Sequence, residues 1–76
     1  MTGNALLVRL KALRLDIARE RSVPAYVVFA DRTLIDMAAR QPTTREAFIE
    51  VHGVGAAKLR EFGDQFISEI AAFARC

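Results

Sequence analysis

The sequence has one cysteine, one histidine, two prolines and no tryptophan among its 76 residues. A lone Cys76 cannot close an internal disulfide, and small secreted domains usually need several, so we expect a reducing compartment, the cytoplasm. His52 has no second histidine to pair with, and His52 with Cys76 falls short of the four ligands of a structural zinc site. The sequence therefore predicts no metal, no cofactor and no enzyme active site.

Long hydrophobic runs are missing as well. The longest, residues 25–30, has six residues, whereas a membrane-spanning helix needs about 20. Residues 1–4 lack the basic start of a signal peptide. Yet 53% of the chain is hydrophobic, too much for a disordered segment. The length allows one domain with a modest core, and we expect this domain to be a module of a larger protein.

Positive charge is in small excess, because 11 Lys and Arg residues face 9 Asp and Glu residues. The excess lies in the first half of the chain. Residues 1–30 contain five basic and two acidic residues, whereas residues 31–76 contain six and seven. This asymmetry is a weak indication of an anionic partner, and a domain of this charge can equally have none.

Apolar spacing in the first half predicts helices. One apolar stripe with helical steps predicts a helix from about Asn4, its N-cap, to Arg21. Residues 25–30 are expected to form a buried turn or a one-turn helix, since no second strand could pair with them. A helix over residues 32–40 follows, with Asp31 as its N-cap and a stop at residues 41–42. The residues expected to be buried by the two longer helices are Leu6, Leu10, Leu13, Ile17, Leu34, Ile35, Met37 and Ala38.

The second half predicts three more short helices. Thr43 and Glu46 have the spacing of a capping box, which starts a third helix with Ala47, Phe48 and Val51 as its apolar residues. A glycine turn leads into a fourth helix, which Gly63 ends as its C′ residue, and Asp64 caps a fifth. Together with the first half, this gives an all-α bundle of four or five short helices. The inward-facing residues of the last two helices are expected to be Leu59, Phe62, Phe66, Ile67, Ile70 and Phe73.

Two segments are candidates for binding an anionic polymer. The turn of Gly53, Val54 and Gly55 could offer free backbone N–H groups to a phosphate, as in a helix-hairpin-helix, with Lys58 nearby. Alternatively, the glycines only let two helices approach and Val54 fills the core, which is the interpretation that the turn alone favours. In the second segment, Tyr26 could stack on an unpaired base beside three arginines, because four consecutive large apolar side chains cannot all point inward. These arginines are Arg19, Arg21 and Arg32.

A third candidate is an apolar stripe on the first helix. Val8, Ala12 and Leu15 lie on the face opposite the predicted core stripe, at about 100° per residue. They could form a patch for docking or self-association, or they could be the scattered apolar residues that protein surfaces normally have.

The order of these segments resembles an HRDC domain, the "helicase and RNase D C-terminal" module of RecQ-type DNA helicases. The similarity covers about residues 5–74 and is strongest to bacterial RecQ-type helicases, with ribonuclease D as a second possible host. Residues 1–4 are then a flank and residues 5–76 the domain. The matching segments are residues 23–29, 31–34, 53–59 and 62–63, with Pro42 and Phe66.

The resemblance implies a compact five-helix fold with no catalytic activity, in a parent chain that is an ATP-dependent DNA helicase of bacterial repair and recombination, located in the cytoplasm at the nucleoid. Its implied role is weak binding of single-stranded or partly duplex DNA, which tunes the DNA structures that the helicase recognises. Some members instead make protein or interdomain contacts, and the acidic second half and Leu15 favour that alternative. The DNA-binding residues that the resemblance implies are Tyr26, Arg19, Arg21, Arg32 and Lys58, beside Gly53 and Gly55.

Overall fold

The structure, a computed structural model, describes residues 2–75 and the side chains of residues 5–75. These residues form five helices and no strand, and none of the described helices is long and apolar enough to cross a membrane. The predicted all-α fold is confirmed. The helices are α1 (Thr2–Arg21), α2 (Ala25–Val28), α3 (Asp31–Arg40), α4 (Arg45–Phe48) and α5 (Ala56–Arg75).

Helix α1 buries the predicted stripe, with Leu6, Leu10 and Ile17 in the core and Leu13 partly buried against it. The helix begins at Thr2 rather than Asn4, so Asn4 lies within the helix instead of capping it. It ends where predicted, at Arg21. Ser22 adopts a left-handed φ of 56°, which terminates the helix.

Helix α2 divides the apolar run of residues 26–29. Tyr26 and Val27 face solvent, whereas Val28 and Phe29 are buried. Phe29 is the centre of an aromatic cluster, and its ring lies edge-on 5.0 Å from Phe66, with the rings of Phe62 and Phe48 at 5.8 and 6.2 Å. A single turn thus exposes one end of the run and anchors the other in the core.

The predicted start and buried face of α3 need two corrections. The N-cap is Ala30, not Asp31, because Asp31 is already helical and its carboxylate accepts a bond from Arg14 Nη1 at 2.8 Å instead of capping. Ile35 is 54% exposed although burial was predicted. The buried face of α3 consists of Thr33, Leu34, Met37 and Ala38. At about 100° per residue, the centre of this face lies roughly 130° around the helix from Ile35.

The capping box predicted for the next helix is wrong by one residue. Thr44, not Thr43, is the N-cap, and its Oγ1 accepts the Ala47 N–H at 3.1 Å. The helix begins at residue 45, so Ala47 rather than Glu46 occupies the third helical position and no reciprocal bond is possible. Phe48 and Val51 are buried as expected, but Ala47 is exposed.

The break predicted at Gly63 is also wrong, because α5 runs unbroken through it. Gly63 is buried, and a Cβ there would lie 2.7 Å from Leu59 Cδ1 and 3.9 Å from Phe48 Cδ2. The glycine therefore leaves room for the Leu59 side chain one turn earlier in α5, with Phe48 of α4 in ordinary contact, rather than ending a helix. Asp64 lies within α5 and does not cap a helix. Its carboxylate accepts bidentate hydrogen bonds of 2.9–3.1 Å from the Arg45 guanidinium.

Candidate nucleic-acid interface

The two glycines of the turn before α5 have different surroundings. Gly53 has a φ of +80°, and a Cβ there would lie 2.5 Å from the Thr33 Oγ1 of α3. Gly55 has no neighbour within 4 Å of that position and no positive φ. Val54 between them is buried. The turn therefore approaches α3 closely at Gly53, with Val54 in the core, as the packing interpretation predicted.

A shallow pocket of about 300 Å³ lies where this turn approaches α2 and α3. It brings together Tyr26, Arg32, Gly53 and Lys58, four of the residues that the sequence singled out. Tyr26 is 71% exposed, as predicted. Among the described residues, the side chains that line this pocket include two cations, Arg32 and Lys58, and no carboxylate. The remaining lining residues are Val28, Phe29, Ala30, Thr33 and His52.

Lys58 is bound within the domain. Its ammonium donates to the carbonyl of Val27 and, at 3.0 Å, to the carbonyl of Val28. The same nitrogen lies 5.9 Å from the ring centroid of Phe29 and 5.6 Å from that of Phe62. Carbonyls at the end of a helix lack intrahelical partners, so Lys58 caps α2 and ties α5 to the segment that presents Tyr26.

A second pocket, of about 370 Å³, adjoins the first. Its lining residues are Arg32, Ile35, Asp36, Ala39 and His52. Arg32 and His52 line both pockets, so the two form one continuous surface. Sequence reasoning missed this second part, although the spacing i, i+3, i+4 and i+7 places its α3 residues on one face.

The carboxylate in the second pocket is already engaged. Asp36 Oδ2 accepts the backbone N–H of His52 at 2.8 Å and the Nε of Arg40 at 2.9 Å. The His52 N–H, and then Arg40, lower the pKa of Asp36 below its ordinary value. Asp36 therefore stays ionised and fixes the position of His52 beside α3.

The arginines of α1 do not converge on these pockets. Arg21 lies 4.7 Å above the Phe62 ring and 3.6 Å from Glu61. Arg9 binds Glu69 at 2.7 Å, and Arg14 donates to the Phe29 carbonyl at 2.9 Å. Arg14 also binds Asp31, and this contact lowers the pKa of that carboxyl. Arg19 and Gly55 are exposed and line neither pocket.

The predicted stripe on α1 is exposed. Val8 is 67% and Leu15 43% accessible, and Ala12 between them is also exposed. No group of three or more potential metal ligands occurs among the described residues. Cys76 lies outside the described part of the chain.

Comparison with known proteins points to one family. A sequence model of the HRDC domain matches residues 3–70. The ATP-dependent DNA helicase RecQ of Bacillus subtilis (strain 168) is 41% identical over 73 residues, which is 96% of this chain and 12% of that protein. The ATP-dependent DNA helicase UvrD2 of Mycobacterium tuberculosis (strain ATCC 25618 / H37Rv) is 48% identical over 62 residues, which is 82% of this chain and 9% of that protein. The chain thus spans about a tenth of the length of these helicases.

A solved structure is similar over nearly the whole chain. This is the third HRDC domain of the RecQ protein of D. radiodurans, which superposes with a TM-score of 0.92 at 31% sequence identity. The superposition covers 97% of both chains.

Proposed function

The chain belongs to the HRDC domain family, and from that premise we propose that it is a non-catalytic accessory domain of a RecQ-type, ATP-dependent DNA helicase. In this proposal the domain binds single-stranded or partly duplex DNA weakly and tunes which DNA structures the helicase engages. The RecQ and UvrD2 helicases that contain similar segments support such a host. The setting we propose is bacterial DNA repair and recombination at the nucleoid.

The observation behind this proposal is the exposed ring of Tyr26 beside Arg32, on a pocket with no lining carboxylate among the described residues. A base stacks on the tyrosine, which contributes about 1–3 kcal/mol per base, and the Arg32 guanidinium holds a backbone phosphate. Gly53 shapes the pocket and Lys58 supports its wall. In this proposal Arg19, Arg21, Gly55 and the turn N–H groups contribute less, since none of these three residues lines either pocket.

Fluorescence anisotropy of a labelled single-stranded oligonucleotide, titrated at two salt concentrations, tests the proposal. With about two to four phosphate contacts, binding should be weak and should decrease with salt. Tyr26→Ala should weaken binding at least about fivefold, since stacking is lost, whereas Tyr26→Phe keeps the ring and should bind nearly as well as the original chain.

Arg75→Ala is the control, because Arg75 is exposed and lines neither pocket. Absence of binding at low salt, or equal binding by the Tyr26→Ala variant, would refute the proposal.

The exposed stripe of Val8, Ala12 and Leu15 favours a second candidate, a protein-interaction module that docks on another domain or on a second copy. Sedimentation equilibrium tests self-association directly. A self-associating domain should become monomeric on Leu15→Glu, whereas Ile49→Glu, at an exposed position outside the stripe, should leave the association unchanged. A chain that is monomeric with or without Leu15→Glu excludes self-association.

A further inference from the structure

The pocket beside Ile35 extends the surface that contains Tyr26. Arg32 lies on the boundary between the two pockets, since it lines both. From Arg32 to Ala39, one face of α3 extends about 10 Å. A stacked strand rises about 3.4 Å per nucleotide, so this face has room for at least one more nucleotide beyond Arg32.

The chemistry of the second pocket fits a base and not a phosphate. Its carboxylate, Asp36, holds His52 and Arg40 through Oδ2, so Oδ1 is the oxygen that can accept a bond from the amino group of a base. Ile35, 54% exposed, and Ala39 offer apolar contact to the flat face of a base, and His52 offers a ring on which bases can stack. Arg32 is the cation that the two pockets share.

We propose that the pocket of Ile35, Ala39 and His52 binds a second nucleobase of the strand whose neighbouring base stacks on Tyr26. Arg32 then holds the phosphate that links the two nucleotides. This inference rests on the proposed function, because the second base is positioned by the first. The surface from Tyr26 to Ala39 would then bind two nucleotides, with one base at Tyr26, the linking phosphate at Arg32 and the second base beyond it.

Two labelled strands of about eight nucleotides provide the test. One has a single base and is otherwise abasic, and the other has two adjacent bases and is otherwise abasic, so both have the same number of phosphates. The quantity measured by anisotropy is the ratio of the two affinities within each protein variant. For the unaltered chain the second base should increase affinity about fivefold, the low end for stacking on an exposed platform.

The matched variants are Ile35→Glu and Ile49→Glu, which add the same charge at two exposed isoleucines, of which only Ile35 lines the pocket. Ile35→Glu should abolish the gain from the second base, and Ile49→Glu should preserve it. The added negative charge repels the phosphates of both strands equally, so this effect cancels in the ratio of the two affinities. Circular dichroism checks that both variants keep the helical fold.

The possible failures are distinguishable. If the one-base strand binds equally well to the Tyr26→Ala variant, the proposed function fails, and this inference fails with it. If Tyr26→Ala weakens binding but the second base gives no gain, only the second-base pocket is refuted. The same conclusion holds if the gain persists in the Ile35→Glu variant.

Discussion

At the scale of single residues, Gly53 and Gly55 flank the same buried valine but have different roles. We expect Gly53→Ala to lower the free energy of unfolding by about 1–3 kcal/mol, because a Cβ at φ +80° is strained and would lie 2.5 Å from Thr33 Oγ1. Gly55→Ala is the matched control. It has free space and an ordinary φ, so stability should stay the same or increase by up to about 1 kcal/mol. Urea denaturation measures both, and equal losses would contradict this assignment.

The exposure of a single side chain could be predicted from the sequence where its own chemistry and its immediate neighbours determine it. Tyr26 is exposed as expected, because a single turn cannot bury four large side chains and tyrosine is the amphipathic one. Ile35 is the opposite case. Its apolar side chain suggested burial, but the position of the core relative to α3 is set by the helices that pack on it. Likewise, Gly53 and Gly55 differ only through their place in the fold, by the φ of +80° at Gly53 and by the approach of Thr33 to it.

At the scale of elements, two errors at helix ends have one cause. Glycine commonly ends a helix, and the sequence around Gly63 offered no local reason to continue. In the structure, the Leu59 side chain of α5 fills the space that a side chain at Gly63 would need, and Phe48 of α4 lies beside it in ordinary contact. Asp64 likewise binds Arg45 instead of capping a helix. Periodic apolar stripes predicted the existence of helices well, whereas the local sequence did not show which of its helix-end signals the folded chain uses.

The position of Tyr26 depends on a contact between α5 and α2, in which Lys58 donates to the carbonyls of Val27 and Val28. Lys58→Met keeps most of the stem but leaves the carbonyls of Val27 and Val28 without their donor, so unfolding should require about 1 kcal/mol less. DNA affinity should decrease because the segment with Tyr26 is less fixed. The slope of log affinity against log salt should stay unchanged, because the ammonium is bound to carbonyls rather than to phosphate.

Anisotropy titrations over a series of salt concentrations measure that slope, and Arg60→Met, an exposed residue two positions along α5, is the control for the loss of one charge. A reduction of about 0.7 in the magnitude of the slope for Lys58→Met would identify a phosphate contact instead. The double variant with Tyr26→Ala should lose less affinity than the sum of the two single effects, because both act on the same stacking contact.

At the scale of the whole molecule, the net charge of a stretch of sequence does not show how much of that charge is free to contact a partner. The sequence places its positive excess in residues 1–30, which suggested a basic α1 leading to Tyr26. In the structure, Arg9, Arg14 and Arg21 each contact a carboxylate of α3 or α5. Their charge therefore joins α1 to the other long helices, and α1 adds little positive potential at the pockets.

This distribution predicts which arginine determines the salt dependence of DNA binding. For two to four phosphate contacts, the slope of log affinity against log salt should be about −1.4 to −2.8 for a single strand. Arg32→Gln should reduce its magnitude by about 0.7, the loss of one contact. Arg9→Gln removes the same charge but should leave the slope unchanged, because Arg9 binds Glu69 and lines neither pocket. Equal reductions for the two variants would mean that the strand follows α1, and the interface assigned to Tyr26 and Arg32 would then be wrong.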